Sequence, residues 1–200
     1  MRSDQQALTR AQRFAYDVLT TGIKDATGKY IIDPVPPVNQ TIPAVIMQEL
    51  PFTAAAATNL VFRFGSNAPQ PTGILNNRVL GDNDIMAIYG VQVLYGVGAN
   101  ANNRVYNTLG VTPADDSIYN GFMQIQYENK QRTTLLDMNQ FRDASPRDGL
   151  TGFAFINPIP VLTGRLGTFE VTIQFPNITG LVITANSFIS VRLHGALGRA

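Results

Sequence analysis

The 200-residue chain contains no cysteine and no tryptophan, and its single histidine is His194. The lack of cysteine excludes disulfide scaffolds, thiolate-bound zinc, iron–sulfur clusters and thiol nucleophiles. One histidine excludes a metal site built from several histidines of one chain. A chain of this length buries enough apolar surface to fold without such cross-links, so a single domain with its own core is expected.

Charged side chains are also scarce, at 14% of residues against roughly 25% in an average domain. With 44% hydrophobic residues and a net charge of +1, disorder driven by charge is excluded. The 28 asparagine and glutamine side chains nearly match the 29 charged ones in number. Amides hydrogen-bond without the desolvation cost of an ion, so this composition favours a surface buried against protein neighbours. The alternative is that the amides simply belong to long loops.

Long apolar runs are missing as well. The first 14 residues are polar and lack the apolar segment of a secretory signal. Nowhere do 18 apolar residues follow one another, so no transmembrane segment is expected.

Residues 1–29 predict a helical arm. Apolar residues recur there at spacings of three and four and form one face: Ala7, Leu8, Ala11, Phe14, Ala15, Val18 and Leu19. Gly22 predicts the end of the helix. Two interpretations remain open, a helix that docks on a neighbouring subunit and a helix that packs on its own domain.

Residues 30–40 predict a stiff linker, because Asp33-Pro-Val-Pro-Pro favours an extended, polyproline-like backbone. The body of the protein is then expected to span residues 41–200.

This body predicts eight strands separated by loops rich in glycine, asparagine and proline. Apolar and polar residues alternate most regularly in residues 59–64 and 168–175. Gly90 and Gly96, inside a long β-rich run, predict a bulge or bend. The expected strands are 41–50, 59–64, 84–97, 121–127, 132–138, 152–156, 168–175 and 181–193. A break of the last strand at Asn186 is left open as an alternative. The predicted fold class is mainly β, an eight-stranded antiparallel sandwich of jelly-roll type with one N-terminal amphipathic helix.

The sequence predicts no catalytic residues and no cofactor. His194 lies in the last predicted strand, and no partner acid or nucleophile can be assigned to it from sequence, so a structural role is expected. Asp82 and Asp84 are the best calcium candidates, but they lack the rest of an EF-hand loop and are typical turn residues. We therefore expect no dedicated metal site.

Strong nucleic-acid binding is not expected, because basic and acidic residues are interspersed and no basic tail is present. Arg2, Arg10 and Arg13 form a modest basic cluster, which leaves room for a weak contact with nucleic acid or with another inner layer.

The helix, the proline linker and the eight strands together resemble the single jelly-roll coat proteins of icosahedral viruses and tailless phages. The stretches that carry the resemblance are Gly121-Phe-Met-Gln-Ile-Gln-Tyr, Thr168-Phe-Glu-Val-Thr-Ile-Gln-Phe and Ser187-Phe-Ile-Ser-Val-Arg-Leu. The chain departs from many RNA-virus coats in lacking a strongly basic arm.

The resemblance implies a structural capsid subunit that assembles with copies of itself and with other virion proteins, in virions put together in the host cytoplasm. It leaves open an internal lipid layer. The expected assembly contacts are helix, linker and loop residues: Phe14, Leu19, Pro36, Pro37, Asn100, Asn102 and Asn103.

Two other classes of function remain as alternatives. A sandwich binding module, such as a virion spike, an adhesin or a glycan-binding domain, would stack its ligand on exposed aromatics, here Tyr89, Tyr95, Tyr106, Tyr119 or Tyr127. A hydrolase on a sandwich scaffold would depend on His194.

Overall fold

A computed structural model describes residues 2–32, 34, 42–53, 59–65, 76–77, 80, 84–98, 105–106, 118–127, 132–142, 152–156, 161–163, 169–175 and 183–199. One α-helix precedes a mainly β body, in which two antiparallel sheets pack face to face as a sandwich. The predicted fold class, a β-sandwich with an N-terminal helix, is confirmed.

The helix α1 covers Arg2–Thr21. Thirteen strands follow within the described residues: β1 (Ile23–Lys24), β2 (Tyr30–Ile32), β3 (Ile42–Pro51), β4 (Asn59–Phe64), β5 (Asn76–Asn77), β6 (Asp84–Val97), β7 (Val105–Tyr106), β8 (Phe122–Tyr127), β9 (Arg132–Asp137), β10 (Phe153–Phe155), β11 (Val161–Thr163), β12 (Phe169–Gln174) and β13 (Ser187–Arg199). Short 3-10 turns at Ile118–Asn120 and Met138–Phe141 flank the hairpin of β8 and β9.

The strand order is that of a jelly roll. Both β10 and β11 pair with β6, so we count them as one strand segment. Together with β3, β4, β6, β8, β9, β12 and β13, they make eight main segments in the sandwich. One sheet runs β3–β13–β6–β10/β11, with the short β5 and β7 at its margins, and the other runs β4–β12–β8–β9. The first main strand thus pairs with the eighth, the second with the seventh, the third with the sixth and the fourth with the fifth. This nested pairing defines the fold.

The core lies between the two sheets and follows the alternation of the sequence. In β4, Leu60, Phe62 and Phe64 are buried while Arg63 is exposed. The larger sheet supplies an opposing layer of buried aliphatic side chains: Ile88, Val91, Val93, Ile189, Val191 and Leu193. Phe64 meets Phe169 of β12 edge-on, with ring centroids 6.4 Å apart. Edge-to-face contact of this kind adds to the stabilisation from burial.

A bulge interrupts the long central pair of β6 and β13. His194 is opposite Gly90 and Gly195 is opposite Ile88, so Tyr89 is the extra residue in β6. The predicted irregularity at Gly90 is therefore confirmed. Gly90 itself is required there, because a Cβ atom at this position would overlap the ring of Phe153.

Between α1 and the sandwich, β1 and β2 form a small antiparallel ribbon. The Nζ atom of Lys24 lies 4.5 Å from the centroid of the Tyr30 ring, a cation–π contact across the ribbon. The predicted boundary between arm and linker, at residues 29 and 30, falls inside this ribbon. Most of the predicted linker, including Pro36 and Pro37, lies outside the described residues.

Candidate assembly surfaces

The second half of α1 packs on the outer face of the larger sheet. Ala15 and Leu19 are fully buried and form one cluster with Ala87 and Tyr89 of β6 and Ala196 of β13. Alanines on the sheet let the helix approach closely. This packing matches the second interpretation of the helix, in which it docks on its own domain.

The helix ends where the sequence predicts. Gly22 adopts φ 70°, and its amide donates a 3.0 Å hydrogen bond to the carbonyl of Val18. A glycine in this left-handed conformation is the usual helix terminator, since it carries no Cβ to clash.

Burial, together with the nearby Tyr89, raises the pKa of the Tyr16 phenol above its ordinary value.

The two predicted helix contacts have different surroundings. Phe14 is 57% exposed and lies on the outward side of α1, together with the exposed Arg10 and Arg13. Leu19 is fully buried within the chain, so it is inaccessible to a partner while the helix stays docked. Arg2 belongs to the first turn of α1, and nothing further is described of its side chain.

His194 lies beside the docked helix, on the same outer face of the larger sheet. It is only 8% exposed. Its Nε2 atom lies 3.2 Å from Oε1 of Gln92, and its ring meets Phe153 edge-on at 5.3 Å. Burial lowers the pKa of His194 to about 4, and the charge of Arg192 adds to that effect. An imidazole held by an amide and a phenyl ring is neutral near pH 7, and its contacts are those of a structural histidine.

Other polar side chains on this face are buried too. Glu49 and Ser190 are opposite each other in the pairing of β3 with β13, and both are fully buried. Gln92 is 6% exposed. A buried polar row therefore crosses the outer face of the larger sheet next to the helix. Such rows specify register, because shifting a strand by one residue would move them into the apolar core.

The outer face of the smaller sheet is different, since it exposes large apolar side chains. Phe122 of β8 is 60% exposed and Leu135 of β9 is 70% exposed. In the pairing of β8 with β9, Phe122 is opposite Asp137 and Gln124 is opposite Leu135. Phe122 and Leu135 are therefore diagonal neighbours on one face, within reach of each other.

Apart from the exposed Asp137, the described remainder of that face carries little unpaired charge. Gln124, Gln126 and Gln174 supply amides, while Arg63 and Glu170 neutralise each other across a 3.2 Å ion pair. None of the predicted contact residues that the structure describes lies on this face. The alternation in residues 121–127 could have indicated it. Met123 and Ile125 face the core, so Phe122 has to face the other way, toward solvent.

Among the described residues, the candidate metal-binding aspartates and sugar-stacking tyrosines do not come together in a site. Asp84 begins β6, is 8% exposed and is opposite Arg199, while Asp82 lies outside the described residues. In the described ranges, no group of three or more metal-ligating side chains comes together. Tyr89, Tyr95 and Tyr119 are at most 5% exposed, so they offer no stacking surface.

The remaining predicted positions are not placed. Asn100, Asn102 and Asn103 lie outside the described residues, and the side chains of Tyr106 and Tyr127 are not described. The predicted absence of a membrane-spanning helix agrees with the described part of the chain, where no helix is long and apolar enough to cross a bilayer.

No protein-family model, curated protein or solved structure matches this chain in sequence or fold comparison. The strand order itself identifies the fold.

Proposed function

We propose that this chain is a self-assembling structural protein whose copies form the shell of a virus or bacteriophage. The nested strand order carries the proposal, because jelly rolls recur in viral coats, lectin domains and cupins. A single histidine argues against the cupin use of the fold, which typically ligates metal through several histidines. The burial of Tyr89, Tyr95 and Tyr119 argues against the lectin use.

Exposed apolar side chains on separate surfaces support the proposal. Phe14 lies on the helix, Phe122 and Leu135 lie on the smaller sheet, and Ile42 and Val45 lie on β3 of the larger sheet, all at least 41% exposed. A subunit of a closed shell touches several neighbours at once and needs more than one contact surface. Large apolar groups of this kind form the buried centres of protein interfaces.

The proposal includes the partners and the location. The chain would assemble with copies of itself and with other virion proteins, inside virions put together in the host cytoplasm. Phe14, the linker prolines and the asparagine-rich loop are its predicted contacts. Arg10 and Arg13, which are both exposed, would make at most a weak inner contact with nucleic acid or another layer.

The test is electron microscopy of the purified full chain in negative stain, combined with size-exclusion chromatography. We expect closed particles of megadalton mass. A stable monomer or trimer at every concentration and salt condition would contradict the shell and favour the binding module.

A helix variant sharpens this test. Phe14→Ser should weaken assembly without loss of the fold, because the side chain is exposed in the isolated subunit. The matched control is Asp17→Asn, an exposed change on the same helix. Equal particle yields from the two variants would remove Phe14 from the contacts.

A further inference from the structure

We propose that β9 is a self-pairing edge, through which two copies of this chain join their smaller sheets about a two-fold axis. Within the described residues β9 pairs only with β8, so it ends the order β4–β12–β8–β9. The other side of β9 presents backbone groups that a further strand can bond. This inference stands independently of the shell, because such a dimer would form whether or not particles do.

The backbone geometry identifies which groups face the open side. The amide of Met138 donates to the carbonyl of Gly121, 3.1 Å away, directly beyond the last pair of the β8–β9 ladder. Hydrogen-bonded pairs alternate in an antiparallel ladder. Residues 132, 134 and 136 therefore bond toward β8, and residues 133, 135 and 137 direct their N–H and C=O groups outward.

A two-fold axis matches this pattern. An axis perpendicular to the sheet pairs two copies of β9 antiparallel and keeps both inner faces on the same side. Centred on Leu135, it places Leu135 opposite its own copy and residue 133 opposite residue 137. The outward N–H and C=O groups of the two β9 strands can then bond to each other. The two four-stranded sheets thereby become one eight-stranded sheet. This is the self-complementary contact of a two-fold dimer.

Side-chain positions favour the same arrangement. Leu135, 70% exposed, would meet Leu135 of the second copy, with the exposed Phe122 as its diagonal neighbour in each subunit. The strand begins with the basic Arg132 and ends with the acidic Asp137. With the axis at Leu135, antiparallel pairing places the two copies of Asp137 at opposite ends of the seam, whereas parallel in-register pairing would place these like charges side by side.

Among the described residues, the edge also lacks the usual protection against pairing. Edge strands are commonly blunted by lysine, proline or a bulge. The sequence of β9, RTTLLD, has neither lysine nor proline, and its register with β8 is continuous. By contrast, β3 of the larger sheet, which pairs on its outer side only with the short β5 among the described strands, carries Pro43 and Pro51. At the other end of the smaller sheet, β4 carries the exposed Arg63 inside the strand, whereas the charged residues of β9 stand at its two ends.

The absence of cysteine allows a direct test by cross-linking. Opposed residues in a hydrogen-bonded antiparallel pair have Cα atoms about 5.5 Å apart, which suits a thiol-to-thiol link. Leu135→Cys should give a covalent dimer with a short bis-maleimide. Thr53→Cys, an exposed position just after β3 of the other sheet, is the control. Equal cross-linking of the two variants would overturn the proposal.

Sedimentation velocity supplies the second measurement. Leu135→Asp places like charges at the axis and should weaken dimerisation about thirtyfold or more, as at an interface hot spot. Thr53→Asp should leave the mass unchanged, and circular dichroism melts check that both variants fold. A wild-type monomer, or a dimer indifferent to Leu135→Asp, would overturn the proposal.

The same preparations separate the two proposals. Particles in the microscope without cross-linking at Leu135→Cys would overturn the β9 contact and leave the shell standing. Cross-linking without particles would overturn the shell and support the β9 contact.

Discussion

At the scale of single residues, His194 shows how a titratable group is kept neutral by its surroundings. Its side chain is nearly buried on the outer face of the larger sheet, where it contacts Gln92 and Phe153. Arg192, two residues away on the same strand, opposes a second positive charge. The folded chain therefore resists protonation of this imidazole, whereas the unfolded chain does not.

That difference predicts a pH dependence of stability. The pKa of His194 is about 4 in the folded chain, against 6.5 for an ordinary histidine. As pH falls from 6.5 to 4, the unfolded chain takes up the proton first, so the free energy of unfolding should fall by about 3 kcal/mol at most. Above pH 6.5 and below pH 4, His194 should not make the free energy of unfolding depend on pH.

Chemical denaturation of the wild type and of His194→Gln, at several pH values, checks this expectation. The difference between the two curves isolates His194 from the carboxyl groups that titrate nearby. The imidazole resonance should also be traceable by NMR without ambiguity, since the chain has one histidine. Parallel curves for the two proteins would contradict the prediction.

Gly90 is the second residue on which the local structure depends. A Cβ atom at this position would overlap the Phe153 ring, so Gly90→Ala should lower the free energy of unfolding by about 1–3 kcal/mol, a typical cost of overpacking. Phe153→Leu removes the ring, and in that background the same substitution should cost less. Thermal melts of the single and double variants measure the coupling. Strictly additive losses would show that the ring is not the obstacle.

At the scale of elements, α1 combines a buried face with an exposed one. Ala15 and Leu19 pack against the larger sheet, whereas Phe14 faces solvent. The helix is thus part of the subunit and at the same time offers a surface for a partner.

The two faces should respond differently to truncation. Leu19→Ala should cost about 2–5 kcal/mol, because it removes a fully buried side chain and leaves a cavity. Phe14→Ala should change stability by no more than about 0.5 kcal/mol, as is usual for an exposed position. Thermal melts of both variants test this. A loss at Phe14 equal to that at Leu19 would contradict the described packing.

The long strands could be predicted from sequence because their alternation is strong. The predicted 59–64 and 84–97 match β4 and β6 to the residue. The last strand is predicted at 181–193 with a break at Asn186 as an alternative, and the turn at Asn186, with φ 60°, agrees with that break. The strand itself runs over Ser187–Arg199, six residues beyond the predicted end. The short strands β1, β2, β5, β7 and β11 were not predicted, because two or three residues carry no periodicity.

The functional surfaces were harder to predict, for a physical reason. An amphipathic pattern shows that a helix has an apolar face, but the angle at which the helix packs decides which residues are covered. Phe14 and Leu19 share the predicted face, and yet one is exposed and the other is buried. Phe122 was missed because a strand at the surface of a sandwich usually turns its aromatic residues inward.

At the scale of the whole molecule, the nested pairing makes the centre of the larger sheet the most protected region. Both neighbours of β13, β3 and β6, bond along nearly its full length. In contrast, β9 has one described partner. Local openings should therefore cost least at the smaller sheet's edge and most along β13.

Hydrogen exchange should reproduce this ranking. Amides of residues 189–193 in β13 and 91–94 in β6 should be among the slowest to exchange, because they are bonded between two strands. The outward amides of residues 133 and 135 in β9 should exchange quickly in a monomer. Measurement by NMR at a pH where the fold is stable decides this. Rapid exchange along β13 would contradict the central position of that strand.

The pairing of β3 with β13 also sets the order of events during synthesis. The ribosome completes β3 while residues 52–186 and β13 itself are still to come. At roughly 5–20 residues per second this wait lasts on the order of ten seconds, during which β3 and β6 lack the strand that joins them. The larger sheet can close only once β13 has left the exit tunnel. Subunits should therefore meet only after β13 has been synthesised, and a nascent chain that still lacks β13 should not recruit partners through this sandwich.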